Sequence, residues 1–341
     1  MNIAKKTIFY IIIVGIILVV LIPLSYLITT SFSSTLETLD YPKPLIPKIS
    51  HELKVSWNED ENYYEIKRKS PKGVYEDLYN GSNFDRISKY LEDYLNIKKS
   101  PSQLENDFVK AKSQEEPIKL KYYKNIFRNF VKFFTVFNGA EKALFNSLKA
   151  ALYTILISMT FGGLVGYALA RTKIKGKETI SVLSLIVRMF PVVSISVPMA
   201  ILLINYGMFD TMLGLAIIYS IPNIGLTAWI TRSIFLGINK ELEEASYVFG
   251  ATKTQTFFKI TFPLVLPAFA ASSMYAFITA WNDTAVSLLL TDRNQTLALL
   301  IYKSIGGSAS INYAAAGAMI LIIPALLFTY LLKNYINQMW G

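Results

Sequence analysis

Runs of about twenty apolar residues constrain this chain more than any other feature, because a helix of that length matches the hydrocarbon thickness of a bilayer. Six of them stand in the 341-residue sequence, at 7–28, 148–170, 180–204, 212–231, 261–281 and 314–332. Charged residues make up only 17% of the chain, against about 25% in an ordinary soluble domain. Soluble helices this long and this apolar would need amphipathic neighbours to cover them, and the second half of the sequence offers almost none. The pattern predicts an all-α membrane protein with six transmembrane helices in a lipid bilayer. The first run follows Lys5 and Lys6, carries no small-residue cleavage site, and is longer than the about 7–15 residues of a signal peptide's apolar region. It is therefore expected to be a retained span.

Basic residues collect at alternate ends of these runs: Lys5 and Lys6; Arg171, Lys173, Lys175 and Lys177; Arg232, Lys240, Lys253 and Lys259; Lys333. Positive charge marks the cytoplasmic side. Both termini are then inside, in a multi-pass protein of a bacterial or archaeal cytoplasmic membrane. The chain divides into an N-terminal span (1–28), an extracytoplasmic insert between helices 1 and 2 (29–145), a membrane core (146–332) with an inside loop at 232–260, and a short cytoplasmic tail (333–341).

Zero Cys and a single His, His51, leave no disulfide framework, no thiolate nucleophile and no His or Cys metal cluster. No Gly-rich loop ending in Gly-Lys-Ser/Thr is present, so an ATP site of that kind is excluded. The span interiors lack the Asp, Glu or His relays of a proton-driven carrier. No catalytic group, metal or cofactor is assigned to the chain itself.

In the insert, residues 53–57 and 63–67 alternate well enough for two short strands around the acidic turn 58–62. Ile87, Leu91, Tyr94 and Leu95 recur at helical spacing, as do Ile126, Phe130, Phe133 and Phe134. A compact cap is expected, with two readings open: a docking surface for an external partner, or an extension packed on the spans. Lys and Tyr alternate there with Glu59, Asp60, Glu61, Glu76, Asp77, Glu92 and Asp93, which would repel phosphates, so nucleic acid is not expected as a partner.

The most informative stretch joins the fourth and fifth runs. Glu241, Glu243 and Glu244 occupy the first turns of a short predicted helix, where negative charge favours the helix dipole, and Gly250 can take the left-handed conformation that closes it. Leu242, Ala245, Val248 and Phe249 lie among the charges. A short rigid knob lying along the membrane surface is expected, with Pro263 and Pro267 bending the chain as it enters the fifth span.

Glu244-Ala245-Ser246, three residues, Gly250, nine residues, Ile260, one residue and Phe262-Pro263 resemble the EAA loop of ATP-binding-cassette importer permeases. Ser246 stands for the second Ala and Phe262 for the Leu. Further stretches narrow the resemblance to carbohydrate importers of the maltose type: Asn146-Ser147-Leu148, Tyr167-Ala168-Leu169-Ala170-Arg171, Arg188-Met189-Phe190-Pro191, Ser287-Leu288-Leu289-Leu290-Thr291 and Thr296-Leu297-Ala298. The resemblance covers about 146–332 and the first span, and omits most of the insert.

It implies the type I ABC importer permease fold and a permease subunit of a binding-protein-dependent sugar importer. Partners would be a second permease subunit in a heterodimer, an ABC ATPase dimer that binds ATP and Mg, and an extracytoplasmic sugar-binding protein. The ATPase-coupling residues carried over are Glu241, Glu243, Glu244, Ala245, Ser246, Val248, Phe249, Gly250 and Ala251. Phe249 departs from the family's usual Asp. The family's Gly-rich tail is not matched by 333–341, so no tail contact is carried over. Rival readings are the same architecture with a non-sugar cargo such as glycerol phosphate, and a membrane-anchored sensor.

Five polar positions in or beside the spans are pathway or gate candidates: Arg188, Asn223, Trp281, Asn282 and Asp283. Arg188 either binds a polar group inside the bundle or snorkels to the interface. Trp281 and Asn282 suit sugar stacking and hydroxyl recognition; the other reading of Trp281 is an interfacial belt residue.

Overall fold

A computed structural model describes residues 3–44, 46–113, 116–305 and 311–337. The chain forms two compact units, residues 1–138 with 304–320 and residues 139–303 with 321–341.

In the first unit, α1 (Ile3–Phe32) carries the first apolar run, and α2 (Thr35–Leu39) starts at a capping box between Ser34 and Glu37. Four antiparallel strands follow: β1 (Ser50–Asn58), β2 (Tyr63–Lys69), β3 (Tyr75–Gly81) and, after two helices, β4 (Ile118–Tyr123). Their order is β3-β2-β1-β4. Val55 faces Ile66 on one side and Ile118 on the other, which puts the apolar alternation of all three strands on one face. That face buries Leu53, Val55, Tyr64 and Ile66 with Ile87, Leu91 and Leu95 of α3 (Phe84–Leu95) and Leu104 and Phe108 of α4 (Pro101–Lys112). The all-α expectation is therefore corrected in this region. The expected hairpin is β1 and β2, but β3 and β4 extend it into a sheet. In β3 only some side chains are half-buried and none is buried, so the strand has little periodicity of its own to read. The helix expected around 126–134 is α5 (Arg128–Val136), with Phe133 buried and Ile126 ahead of its first turn.

The second unit is helical. α6 (Ala140–Ile157) and α7 (Gly163–Arg171) are joined by a π turn at Ser158–Gly162 into one helix of 32 residues. α10 (Met212–Gly237) is its most buried long helix. A Cβ on Gly162 would lie 2.8 Å from the Ile224 carbonyl, and one on Gly166 2.8 Å from that of Ala228. Small residues four apart thus let α7 and α10 meet backbone to backbone, as membrane helices do. α8 (Lys177–Met189) and α9 (Val192–Asn205) diverge by 90°. Pro191 has no N–H and steers Phe190 out of the helical region, and Phe190 is extended at φ −71°, ψ 134°. The third apolar run is thus a broken pair and not one straight helix.

Beyond α10 come α11 (Lys240–Val248), α12 (Lys253–Thr256), a π turn at Phe257–Thr261, α13 (Phe262–Asn282), α14 (Ala285–Leu290) and α15 (Leu297–Ile305). α16 (Ile311–Asn337) passes from the first unit into the second. Five described helices are long and apolar enough to cross a membrane, and six if α8 and α9 count as one span. Residues 338–341 of the expected tail lie outside the described residues.

Candidate functional site

Helix α11 is built as its sequence suggests. The Asn239 side chain caps it by accepting from the Glu241 N–H, Glu241 and Glu243 lie in the first turn, and Gly250 closes it at φ +82°. Thr252 then opens α12 through a capping box with Gln255. Lys253–Asn282 is one continuous helix of 30 residues. The π turn Phe257–Thr261 directly precedes Pro263, in the first turn of α13, while Pro267 sits inside that helix. A widened turn there relieves the pressure of the Pro263 ring on the carbonyl four residues earlier.

The burial of α11 inverts the ordinary amphipathic pattern. Its buried residues are Glu243 and Ser246, whereas Val248 is 87% and Phe249 91% exposed. Leu242 and Tyr247 are also exposed, as are Glu241, Glu244, Ala245 and Gly250, and Ala251 is half-buried. The root of the helix is polar. Arg171, at the end of α7, reaches the Glu243 carboxylate with Nη2 at 2.8 Å and Nε at 2.9 Å, and also donates to the Ile238 carbonyl at 3.2 Å. Thr261 donates to the same carboxylate at 3.3 Å. The Ser246 and Thr256 hydroxyls lie 2.6 Å apart. Helix α11 thus has a polar root and an apolar tip whose Phe and Val side chains would gain by burial.

Arg171, Thr256 and Thr261 were missed as site residues by sequence reasoning, which used Arg171 only as a marker of the inside face. The helical phase held the signal: Glu243 and Ser246 are three apart and so share a face, one turn after an acidic start.

The five pathway candidates do not converge. Trp281 is completely buried, stacks on Phe277 with ring centres 5.3 Å apart and donates its indole N–H to the Leu321 carbonyl at 2.8 Å. Neither a sugar-facing nor a membrane-belt position fits that packing, and Trp281 is corrected to a core residue. Asn223 is buried and donates to the Tyr219 carbonyl one turn back in its own helix, at 2.8 Å. Asp283 accepts from the Tyr219 hydroxyl at 2.9 Å and from the N–H groups of Val286 and Ser287, which places it as the cap of α14. Asn282 and Arg188 are exposed, and the Arg188 guanidinium stacks over the Tyr275 ring at 5.1 Å. No group of three or more His, Cys, Asp or Glu suited to a metal occurs among the described residues.

Comparison with known proteins adds the family. Residues 158–340, more than half of the chain, match the model of the binding-protein-dependent transport system inner membrane component. The trehalose transport system permease protein SugB of Mycobacterium tuberculosis is 31% identical, over 58% of this chain and 73% of that protein. The trehalose/maltose transport system permease protein MalG of Thermococcus litoralis is 27% identical, over 56% of this chain and 70% of that protein. Among solved structures, a bacterial ABC transporter involved in the import of the acidic polysaccharide alginate superposes with a TM-score of 0.60 over 98% of both chains at 16% identity, a likeness of fold. A polar-rooted, apolar-tipped helix α11 inside the matched region belongs to a multi-pass membrane protein, and the chain is a member of the binding-protein-dependent transport system inner membrane component family, within which it is similar to carbohydrate ABC importer permeases.

Proposed function

We propose that the chain is one of two permease subunits of an ATP-driven sugar importer, with α11 as the element that docks on the ATPase. The observation that carries this reading is the exposed pair Val248 and Phe249 at the end of a helix held by a polar root. ATP and Mg would be bound by the partner ATPase dimer. Closure of that dimer would displace α11, and α13, continuous from Lys253, would carry the displacement into the membrane. Glu241 and Glu244, exposed beside the tip, are placed to pair with basic residues of the ATPase groove. Pro263 and Pro267 set the irregular start of the moving helix.

With six spans and both termini inside, the insert 29–145 would lie outside the cell, where its sheet and helices would face an extracytoplasmic binding protein. Sugar is the cargo class that the relatives' transport of trehalose and maltose favours. Arg188 and Asn282, the exposed members of the candidate set, would line a pathway with a second permease subunit.

The test is purification from native membranes in mild detergent. The expected result is a fixed-ratio complex of this chain, a second permease and an ATPase, lost on Phe249→Lys or Glu244→Lys while the chain stays in the membrane. Recovery of the unmodified chain alone, from membranes that contain those partners, would sink the importer reading.

A further inference from the structure

Helix α11 contributes no side chain to the apolar cluster at its foot. That cluster is Ala170, Phe235, Val265 and Ala268, with Tyr167, Ile230, Ile234, Ile238, Phe257, Phe262 and Phe269 packed against it. It binds α7, α10 and α13 to one another and leaves α11 to be held by polar bonds. Three of those bonds converge on a single oxygen, Glu243 Oε1: two from Arg171 and one from Thr261. Both partners of the ion pair are nearly out of solvent, at 9% and 10% side-chain exposure. Removing either one would leave the other charge buried without compensation.

We propose that Arg171 is the positioning residue that makes α11 and α7 move as one body, a deepening that rests on the importer reading above. Three observations carry it. The guanidinium grips the carboxylate through two nitrogens and the Ile238 carbonyl as well, so it fixes both the first turn of α11 and the end of α10. Arg171 is the last residue of α7, and this helix with its preceding π turn meets α10 backbone to backbone at Gly166 and Gly162. A displacement of α11 is thus handed to a helix pair that cannot slide without a steric clash. Thr261 adds a second attachment, to the π turn that opens α13, so the same carboxylate ties α11 to both helices that flank it. An apolar root would permit sliding, whereas a guanidinium bonded at once to Glu243 Oε1 and the Ile238 carbonyl restrains it.

The experiment uses the complete complex, reconstituted with its ATPase and partner permease. The chain has no Cys, so spin labels at Lys240→Cys, at the exposed start of α11, and Leu164→Cys on the exposed face of α7 report one defined distance. With Arg171 present, the distance distribution keeps its width between the nucleotide-free state and the state trapped with Mg-ATP and vanadate. In Arg171→Ala, the distribution broadens about twofold on trapping, and the exchanged pair Arg171→Glu with Glu243→Arg narrows it again, as coupled partners require. Glu243→Gln, nearly isosteric, serves where Arg171→Ala fails to assemble, and it too broadens the distribution. Unchanged width in both Arg171→Ala and Glu243→Gln overturns the proposal. An unmodified chain that retains no ATPase overturns the importer reading instead, so the two failures are distinguishable.

Discussion

In the unit formed by residues 1–138 and 304–320, buried polarity includes ion pairs between elements, Glu37 with Lys124 and Asp40 with Arg68, beside an amide cluster of Asn96, Asn129 and Asn312. In the unit formed by residues 139–303 and 321–341, it is mostly hydroxyl and amide. Thr154, Ser220, Thr231 and Asn223 each donate to a carbonyl one turn back in their own helix. The two described ion pairs of that unit are Arg171, the last residue of α7, with Glu243, and Arg232 with Glu178 in the first turn of α8. The packing differs in the same sense. Aliphatic and aromatic side chains such as Leu53, Ile66 and Phe108 fill the first unit, whereas Gly162, Gly166 and Gly225 bring backbones together in the second, and Ile201 and Leu326 point outward. Set against the apolar helices, the sheet and its helices show the contrast expected between two solvents. Water drives large apolar groups inward and can solvate charges during folding, while lipid gives no such drive and demands that every polar group find a local partner.

The strongest way to break that contrast is Lys124→Met. Lys124 and Glu37 are 0% and 3% exposed at the side chain, and orphaning the carboxylate should cost about 3–5 kcal/mol. A fall of several degrees in the unfolding midpoint of the purified chain would show it, with most of the loss restored by adding Glu37→Leu. If the single variant unfolds like the parent, ionic burial does not hold the first unit together.

Acid gives the next largest effect. Burial pushes the His51 imidazole down to about 4, partly opposed by the nearby Glu37 carboxylate. The unfolded chain therefore takes up a proton before the folded one does, and stability is complete above about pH 6.5 and falls as the pH drops toward 4, by about 3 kcal/mol. Burial would raise Glu37, but the charges of His51 and Lys124 outweigh it and hold the carboxyl below its ordinary value, which adds a loss of the same sign at lower pH. His51→Gln should flatten the upper part of the profile. Denaturation followed from pH 7 to 4 checks this, and an equal slope in both proteins would refute it.

Gly166→Val probes the second unit, where the new side chain would meet the Thr231 hydroxyl and the Ala228 carbonyl. Overpacking of that kind costs about 1–3 kcal/mol, so the midpoint should fall measurably while the far-ultraviolet dichroism keeps its helical form. Tolerance of Val there would mean that α7 and α10 are free to separate. The smallest effect on stability belongs to Phe249→Ser, within about 0.5 kcal/mol for a side chain that touches little in this chain. The same variant should lose most of the ATPase that the parent retains on purification. A large loss of stability would instead place Phe249 within the fold.

Local features were legible without coordinates. Length and apolarity of the spans, the Asn239 cap region, the acidic first turn of α11 and the left-handed Gly250 follow from neighbours a few residues apart, because helix formation and capping are local. The β1 and β2 hairpin was equally visible, since its register depends on one short turn.

What the tertiary structure decided is everything that joins distant parts of the chain. It paired β1 with β4, so that Val55 faces Ile118, 63 residues later, and so extended an expected hairpin into a four-stranded sheet. Trp281 it placed in a dry core against Phe277, although an aromatic at a span end reads equally well as a ligand platform or a membrane anchor. It also turned Glu243 inward onto Arg171 and left Phe249 in the open, a choice that three adjacent glutamates and an Arg 72 positions away do not announce. Composition and spacing fix which segments leave water; only packing decides which polar group follows them and which apolar one stays behind.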